Sequence, residues 1–214
     1  LVYIINHAND KILIIDLDLV PIIENIILDC PNVEKLIILC SKADLPSTKF
    51  SEVISYEELL LIGSENFEWI TGEETDACGI CYTSGTTGNP KGVVYTHRSN
   101  TLHALTQAAP DMLNLSSTDT IMPVVPLFHA NGWSIAYTAP LVGSSIVFPG
   151  GDLSPSSLYD MLERGVTITA AVPTVWLLLL NFLESEKKEL SSLKRVVIGG
   201  SSCPRSVIED FQNK

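Results

Sequence analysis

Tyr82 to Gly92 reads Tyr-Thr-Ser-Gly-Thr-Thr-Gly-Asn-Pro-Lys-Gly, which places four aliphatic hydroxyls, three glycines and one lysine in eleven residues. Glycines let the backbone approach a ligand closely, so that several N–H groups converge on an anion as a concave nest. The hydroxyls of Thr83, Ser84, Thr86 and Thr87 add donors, and an oxygen among them suits a hard cation such as Mg²⁺. Lys91 brings a flexible point charge able to reach a phosphate. No Asp or Glu occurs from Ala77 to Pro110, although the chain carries 25 acidic residues against 13 Lys and Arg. The expected chemistry is therefore polyphosphate binding. A Walker-type P-loop is excluded, because Gly85 to Gly92 lacks the four-residue gap before Gly-Lys-Ser/Thr.

Two further stretches could do chemistry. Pro126-Leu-Phe-His-Ala-Asn-Gly-Trp133 sets an imidazole, an amide and an indole in a segment without charged side chains. That composition suits an uncharged, largely apolar group held by a few oriented polar contacts, although a His and a Trp beside prolines also serve as core packing. Gly199-Gly200-Ser201-Ser202 offers bare backbone on which a flat ligand could lie, or a tight turn.

These stretches need elements to position them. Lys11–Ile15, Leu36–Cys40, Ala77–Tyr82, Thr120–Val125, Ser145–Phe148, Thr167–Ala171 and Arg195–Ile198 read as strands. Val20–Cys30, Tyr56–Leu61, His97–Pro110, Pro155–Arg164, Thr174–Glu186 and a segment around Trp133–Leu141 read as helices. Ser47–Ser55 and Gly63–Asp76 read as polar connections, the second a seam between residues 1–75 and 76–214. The alternation predicts an α/β fold with largely parallel sheets and ligands at the carboxyl ends of the strands. All three chemical stretches fall at such ends, which predicts one shared cleft.

With 46% hydrophobic and 18% charged residues in 214, the chain is globular. A formal charge of −12 disfavours nucleic-acid partners and anionic membranes. The longest uncharged stretch, Thr120–Gly151, is broken by four prolines, so no transmembrane segment is expected. Five scattered cysteines fit a reducing, cytoplasmic setting rather than a disulfide framework. Cys78 and Cys81 have redox or half-zinc-site spacing, yet on a strand they point to opposite faces and are expected to be buried packing residues.

Tyr82–Arg98, Pro126–Trp133 and Gly199–Pro204, in this order, resemble the adenylate-forming enzymes, most closely the medium- and long-chain fatty-acyl-CoA synthetases. The first motif is highly specific, the others only in its company. The resemblance runs through the whole chain and implies part of the large N-terminal AMP-binding domain. It implies ATP, Mg²⁺ and coenzyme A, with a fatty carboxylic acid converted first to acyl-AMP and then to acyl-CoA. A fatty carboxylate is already ionised at neutral pH, so no general base is needed. By the same resemblance Thr83 helps hold Mg²⁺, and Ser84, Gly85, Thr86, Thr87, Gly88 and Lys91 enclose the phosphates. Lys91 and His129 are placed at the reacting centre. His129, Ala130, Trp133 and Gly200 would contact the acyl group or its adenylate, with Ser201 a neighbour on the nucleotide side. A homodimer is the expected assembly of the full-length enzyme.

The family's next motif, its ribose-binding Asp and its C-terminal lysine domain lie outside these 214 residues, so the fragment alone is expected to be inactive. Other readings stay open on the residues: a ligase of an aryl acid or a sulfur-containing short acid, an amino-acid-activating or luciferase-like enzyme, or a noncatalytic nucleotide- or acyl-binding protein. The uncharged surroundings of Trp133 favour an alkyl chain over an amino acid, whose ammonium would want a buried carboxylate.

Overall fold

Parallel strands organise both parts of the chain in the computed structural model, which describes residues 1–84 and 88–213. Two units result: Leu1–Gly72 with Tyr82–Gly92, and Glu73–Cys81 with Val93–Lys214.

In the first unit, β1 (Ile12–Asp16), β2 (Lys35–Leu39) and β3 (Val53–Ser55) form a parallel sheet in that order, with Ile14 opposite Ile37 and Ile37 opposite Ile54. Helix α1 (Val2–Ala8) and α2 (Val20–Glu24) supply Ile5, Val20 and Ile23 to a core that also takes in Leu36 and Ile38. The helix expected over Val20–Cys30 breaks into α2 and a 3₁₀ turn at Ile27–Asp29. Asn25 and the β-branched run around it have little helix preference, and Ile26 leaves helical geometry with φ −123°. The strand β3 lies where a polar connection was expected; its three residues are too few to show a period. Helix α3 (Tyr56–Leu61) is where expected, with the Ser55 hydroxyl accepting from the Glu58 amide at its start.

In the second unit, β6 (Thr120–Pro123), β7 (Ser145–Ile146), β8 (Ile168–Ala171) and β9 (Arg195–Ile198) make a parallel sheet of order β7-β6-β8-β9. Strand β8 is buried at every residue, because helices cover both faces. Alternate residues divide between the faces. Met122 and Ala171 join Leu158 and Leu162 of α7 (Pro155–Leu162) and Trp176, Leu179 and Leu183 of α8 (Pro173–Glu186). Ile121, Ile168 and Ala170 meet Ile135 and Ala139 of α6 (Ile135–Val142). Helix α9 (Arg205–Asn213) packs beside α8, with Phe211 edge-on to Trp176.

Strand β4 (Ala77–Thr83) pairs with β5 (Lys91–Thr96), a strand that the polar loop chemistry had obscured. Helix α4 (His97–Ala108) starts on a capping box in which Thr96 and Ser99 satisfy one another's backbone amides, and it packs against α6. The sheet's amino edge is pinned by polar groups. Arg195 pairs with Asp119 at 2.8 Å and donates to the Leu113 and Asn114 carbonyls, while Thr167 and Ser116 donate to the same Asp119 carboxylate. Burial pushes the Asp119 carboxyl up, but the hydrogen bonds from Arg195, Thr167 and Ser116 outweigh it and hold it below the ordinary aspartate value.

Candidate functional site

The carboxyl edge of the same sheet opens into a cavity of about 690 Å³. Its floor is the end of β9, Val197 to Gly200; one wall is Ala130 to Ile135; the other is Tyr95, Ser99, Asn100, His103 and Gln107 of the α4 region, with Met112 and Leu113 beyond. Parallel strands release their chains at this edge, and diverging loops leave a crevice there.

The wall after β6 has an unusual backbone. Ala130, Asn131, Gly132, Trp133 and Ser134 all have positive φ, from 47° to 62°, so the short segment α5 (Ala130–Trp133) is a left-handed turn. The Gly132 amide donates to the His129 carbonyl and the Ser134 amide to that of Ala130. This replaces the right-handed helix start expected around Trp133; regular helix begins only at Ile135. Glycine enters this region freely, and a side chain at Gly132 would in addition strike Leu127 at 2.8 Å.

The turn delivers the Trp133 indole onto the floor. A methyl carbon built on Gly199 would lie 2.9 Å from the indole Cη2 and 3.3 Å from Cζ2 and Cζ3, so the ring rests directly on this glycine. Gly200, with φ 82°, is close to Val172 in the same sense. The ring thus covers this end of the floor, and the space open to an apolar group is the rest of the cavity beside it.

Of the residues singled out from sequence, Ala130, Trp133 and Gly200 line this cavity together. His129 and Ser201 are exposed and lie outside the lining. Thr83, Ser84, Gly88 and Lys91 belong to the first unit, where all four are exposed. Gly85, Thr86 and Thr87 lie outside the described residues. Tyr82, at the head of that loop, is joined to His7 of α1 through its hydroxyl at 2.6 Å. Burial, with the charge of Asp10 and then Tyr3, raises the Tyr82 phenol above its ordinary value, so it stays a neutral hydroxyl.

Cys78 and Cys81 correct an expectation. Cys78 is exposed and Cys81 half-buried, because among the described residues β4 pairs with β5 alone and lies in a two-stranded sheet. Each thiol has an amide neighbour: Asn100 donates to Cys78 at 3.2 Å, and Cys81 donates to the Asn131 carbonyl oxygen at 3.3 Å. Among the described residues no cluster of three His, Cys, Asp or Glu could hold a metal ion, and no helix is long and apolar enough to cross a membrane. Sequence reasoning missed the α4 wall. Its signal was the four-residue spacing of Ser99, His103 and Gln107, which sets three polar groups on one helix face.

A parallel α/β unit with a ligand-sized, mostly apolar cavity at its strand ends has the architecture of a small-molecule-binding domain. Residues 1–214, the whole chain, match the AMP-binding enzyme family, and the chain belongs to it. It is 44% identical over 212 residues to a medium-chain-fatty-acid–CoA ligase of Ectopseudomonas oleovorans, covering 99% of this chain and 39% of that protein. It is 44% identical over 211 residues to a long-chain-fatty-acid–CoA ligase of Thermus thermophilus, covering 98% and 37% respectively. Identity is 40% over 215 residues to a 3-methylmercaptopropionyl-CoA ligase of Ruegeria pomeroyi, covering 100% and 40%. The chain thus spans about two fifths of the curated relatives it matches. Among solved structures, a long-chain-fatty-acid-CoA ligase from Archaeoglobus fulgidus superposes with a TM-score of 0.83 at 27% identity, covering 99% of this chain and 40% of that one. The mixed α/β fold with parallel sheets is that of the adenylate-forming enzymes.

Proposed function

We propose that this chain supplies the phosphate-loop and acyl-pocket part of an ATP-dependent acid–thiol ligase acting on a medium- or long-chain fatty acid. The observation that carries the reading is the mostly apolar cavity walled by Trp133 and floored by Val197 to Gly200, at the sheet edge where ligands bind. The 44% identical relatives named for medium- and long-chain fatty acids support the same substrate class.

In this reading the carboxylate attacks the α-phosphorus of ATP, pyrophosphate leaves with the electron pair of the broken bond, and the thiol of coenzyme A then displaces AMP from the acyl carbon. The protein's part is to position two anions and to stabilise charge on the transferring group. Thr83, Ser84 and Gly88 with Lys91 hold the β- and γ-phosphates, together with Gly85, Thr86 and Thr87. The exposed Thr83 hydroxyl is an oxygen donor suited to Mg²⁺, which when bound neutralises phosphate charge. Ala130, Trp133 and Gly200 receive the acyl group, and His129 and Ser201 border the carboxylate and nucleotide. The same reading keeps a homodimer of the full-length enzyme and a cytoplasmic setting.

Titration of the 214-residue chain with magnesium pyrophosphate and, separately, with decanoate tests both halves. Lys91→Ala is expected to weaken pyrophosphate about tenfold, the value of a charge-assisted hydrogen bond, and to leave decanoate binding unchanged. Equal binding of pyrophosphate by both proteins refutes the role of Lys91. A second reading, a short sulfur-containing acid, is favoured by the 40% identical 3-methylmercaptopropionyl-CoA ligase. Tighter binding of 3-methylmercaptopropionate than of decanoate would select it.

A further inference from the structure

Left-handed backbone is unfavourable for an L-residue, and four of the five residues from Ala130 to Ser134 are not glycine. Such a run persists only where its surroundings over-determine it. Side chains from three elements do so. Cys81 of β4 donates to Asn131, the single Thr138 proton of α6 is shared between the Ser134 carbonyl at 3.1 Å and Gln107, and Gln107 of α4 reaches Trp133 itself.

The Gln107 contact differs in kind. Its Nε2 donates to the Trp133 carbonyl at 2.6 Å, and its Oε1 accepts from the Thr138 hydroxyl at 2.8 Å. The carbonyl can only accept and the hydroxyl can donate, so the primary amide satisfies both partners in one orientation. Gln107 and Thr138 are both buried, where an unpaired amide or carbonyl is costly. The bridge therefore locks the main chain of the one residue whose ring lies on the cavity floor.

We propose that Gln107 is the positioning residue of the acyl pocket: by fixing the Trp133 main chain in its left-handed form it seats the indole against Gly199 and so sets the room left for the acyl tail. This rests on the fatty-acid reading above. A role in mere space filling predicts that an apolar side chain of equal length serves as well; a positioning role predicts that it does not.

The test uses the 214-residue chain labelled with 5-fluorotryptophan, which gives one ¹⁹F resonance for each of Trp69, Trp133 and Trp176, assigned by Trp69→Phe and Trp133→Phe. Gln107→Met keeps the length and removes both bonds. Gln107→Glu keeps the acceptor for Thr138 but turns an oxygen toward the Trp133 carbonyl. In both, the Trp133 line is expected to split or broaden while the Trp176 line, buried in the α8 core, stays in place, and decanoate is expected to bind about tenfold more weakly. A single Trp133 line at the wild-type shift with unchanged decanoate affinity overturns the proposal. Loss of the Trp176 line in both variants also overturns it, since Gln107 would then be holding the fold. If decanoate moves no resonance of the unsubstituted chain while the Trp133 line responds to both substitutions, the fatty-acid reading fails and the positioning role stands.

Discussion

Gly199→Ala isolates the contact on which the pocket depends. The added methyl would stand 2.9 Å from Cη2 of Trp133 and 3.3 Å from two further ring carbons. Carbon atoms rest at about 3.5–4.0 Å, so the ring must retreat by roughly 0.5–1 Å. It cannot do so by backbone adjustment, because Gln107 holds the Trp133 carbonyl. Overpacking of this kind costs about 1–3 kcal/mol. Gly199 itself is not among the residues with positive φ, so alanine suits its backbone. In a Trp133→Ala background the same substitution should therefore stabilise, by about 0.4–1 kcal/mol, through the reduced entropy of the unfolded chain. The sign of the effect reverses with the state of position 133. Urea unfolding of the four chains of the cycle, followed by far-ultraviolet circular dichroism because position 133 is itself varied, should give a coupling of about 2 kcal/mol. A cost for Gly199→Ala that is the same in both backgrounds to within about 0.5 kcal/mol would refute the seating of the indole on Gly199.

Two further expectations concern stability. Asp119→Asn removes the charge facing Arg195 at the buried amino edge and should cost about 2 kcal/mol or more at neutral pH. The folded Asp119 carboxyl titrates below its unfolded value, so its stabilisation is complete above about pH 4 and is lost as pH falls through the folded value. Urea midpoints of the parent chain should drop through that acid window more steeply than those of Asp119→Asn; parallel curves would exclude the mechanism. Thr96→Ala removes the cap of α4 and should cost about 1 kcal/mol, whereas Thr96→Asn should cost less. Hydrogen exchange in the first turn of α4 should rise in the alanine variant alone, and an unchanged rate would show that the cap carries no weight.

The strands of the second unit were legible because parallel strands buried on both faces are continuous apolar runs, and Thr120–Val125, Thr167–Ala171 and Arg195–Ile198 each sit within two residues of β6, β8 and β9. Val53–Ser55 was not, since three residues carry no period and the strand exists only by pairing with Leu36–Ile38. Ala130, Trp133 and Gly200 could be named from their motifs, but the left-handed turn that orients the indole could not, because most of its residues are intrinsically opposed to that conformation. It is imposed from outside by Gln107 and Cys81, which are distant in sequence, with a local bond from Thr138 to Ser134. Gln107 itself reads as an ordinary polar helix residue until its two partners are seen.

The Asp119–Thr167–Arg195 cluster lies at the opposite end of the strands from the cavity. Cohesion of the sheet is thus concentrated at one edge and ligand contact at the other. Leu113 alone of the lining touches that anchorage, through its carbonyl. Substitutions in the loops after β6 and β9 therefore leave it intact, and ligand preference can be selected in a library confined to them without repeatedly crossing the stability threshold that purges most mutations.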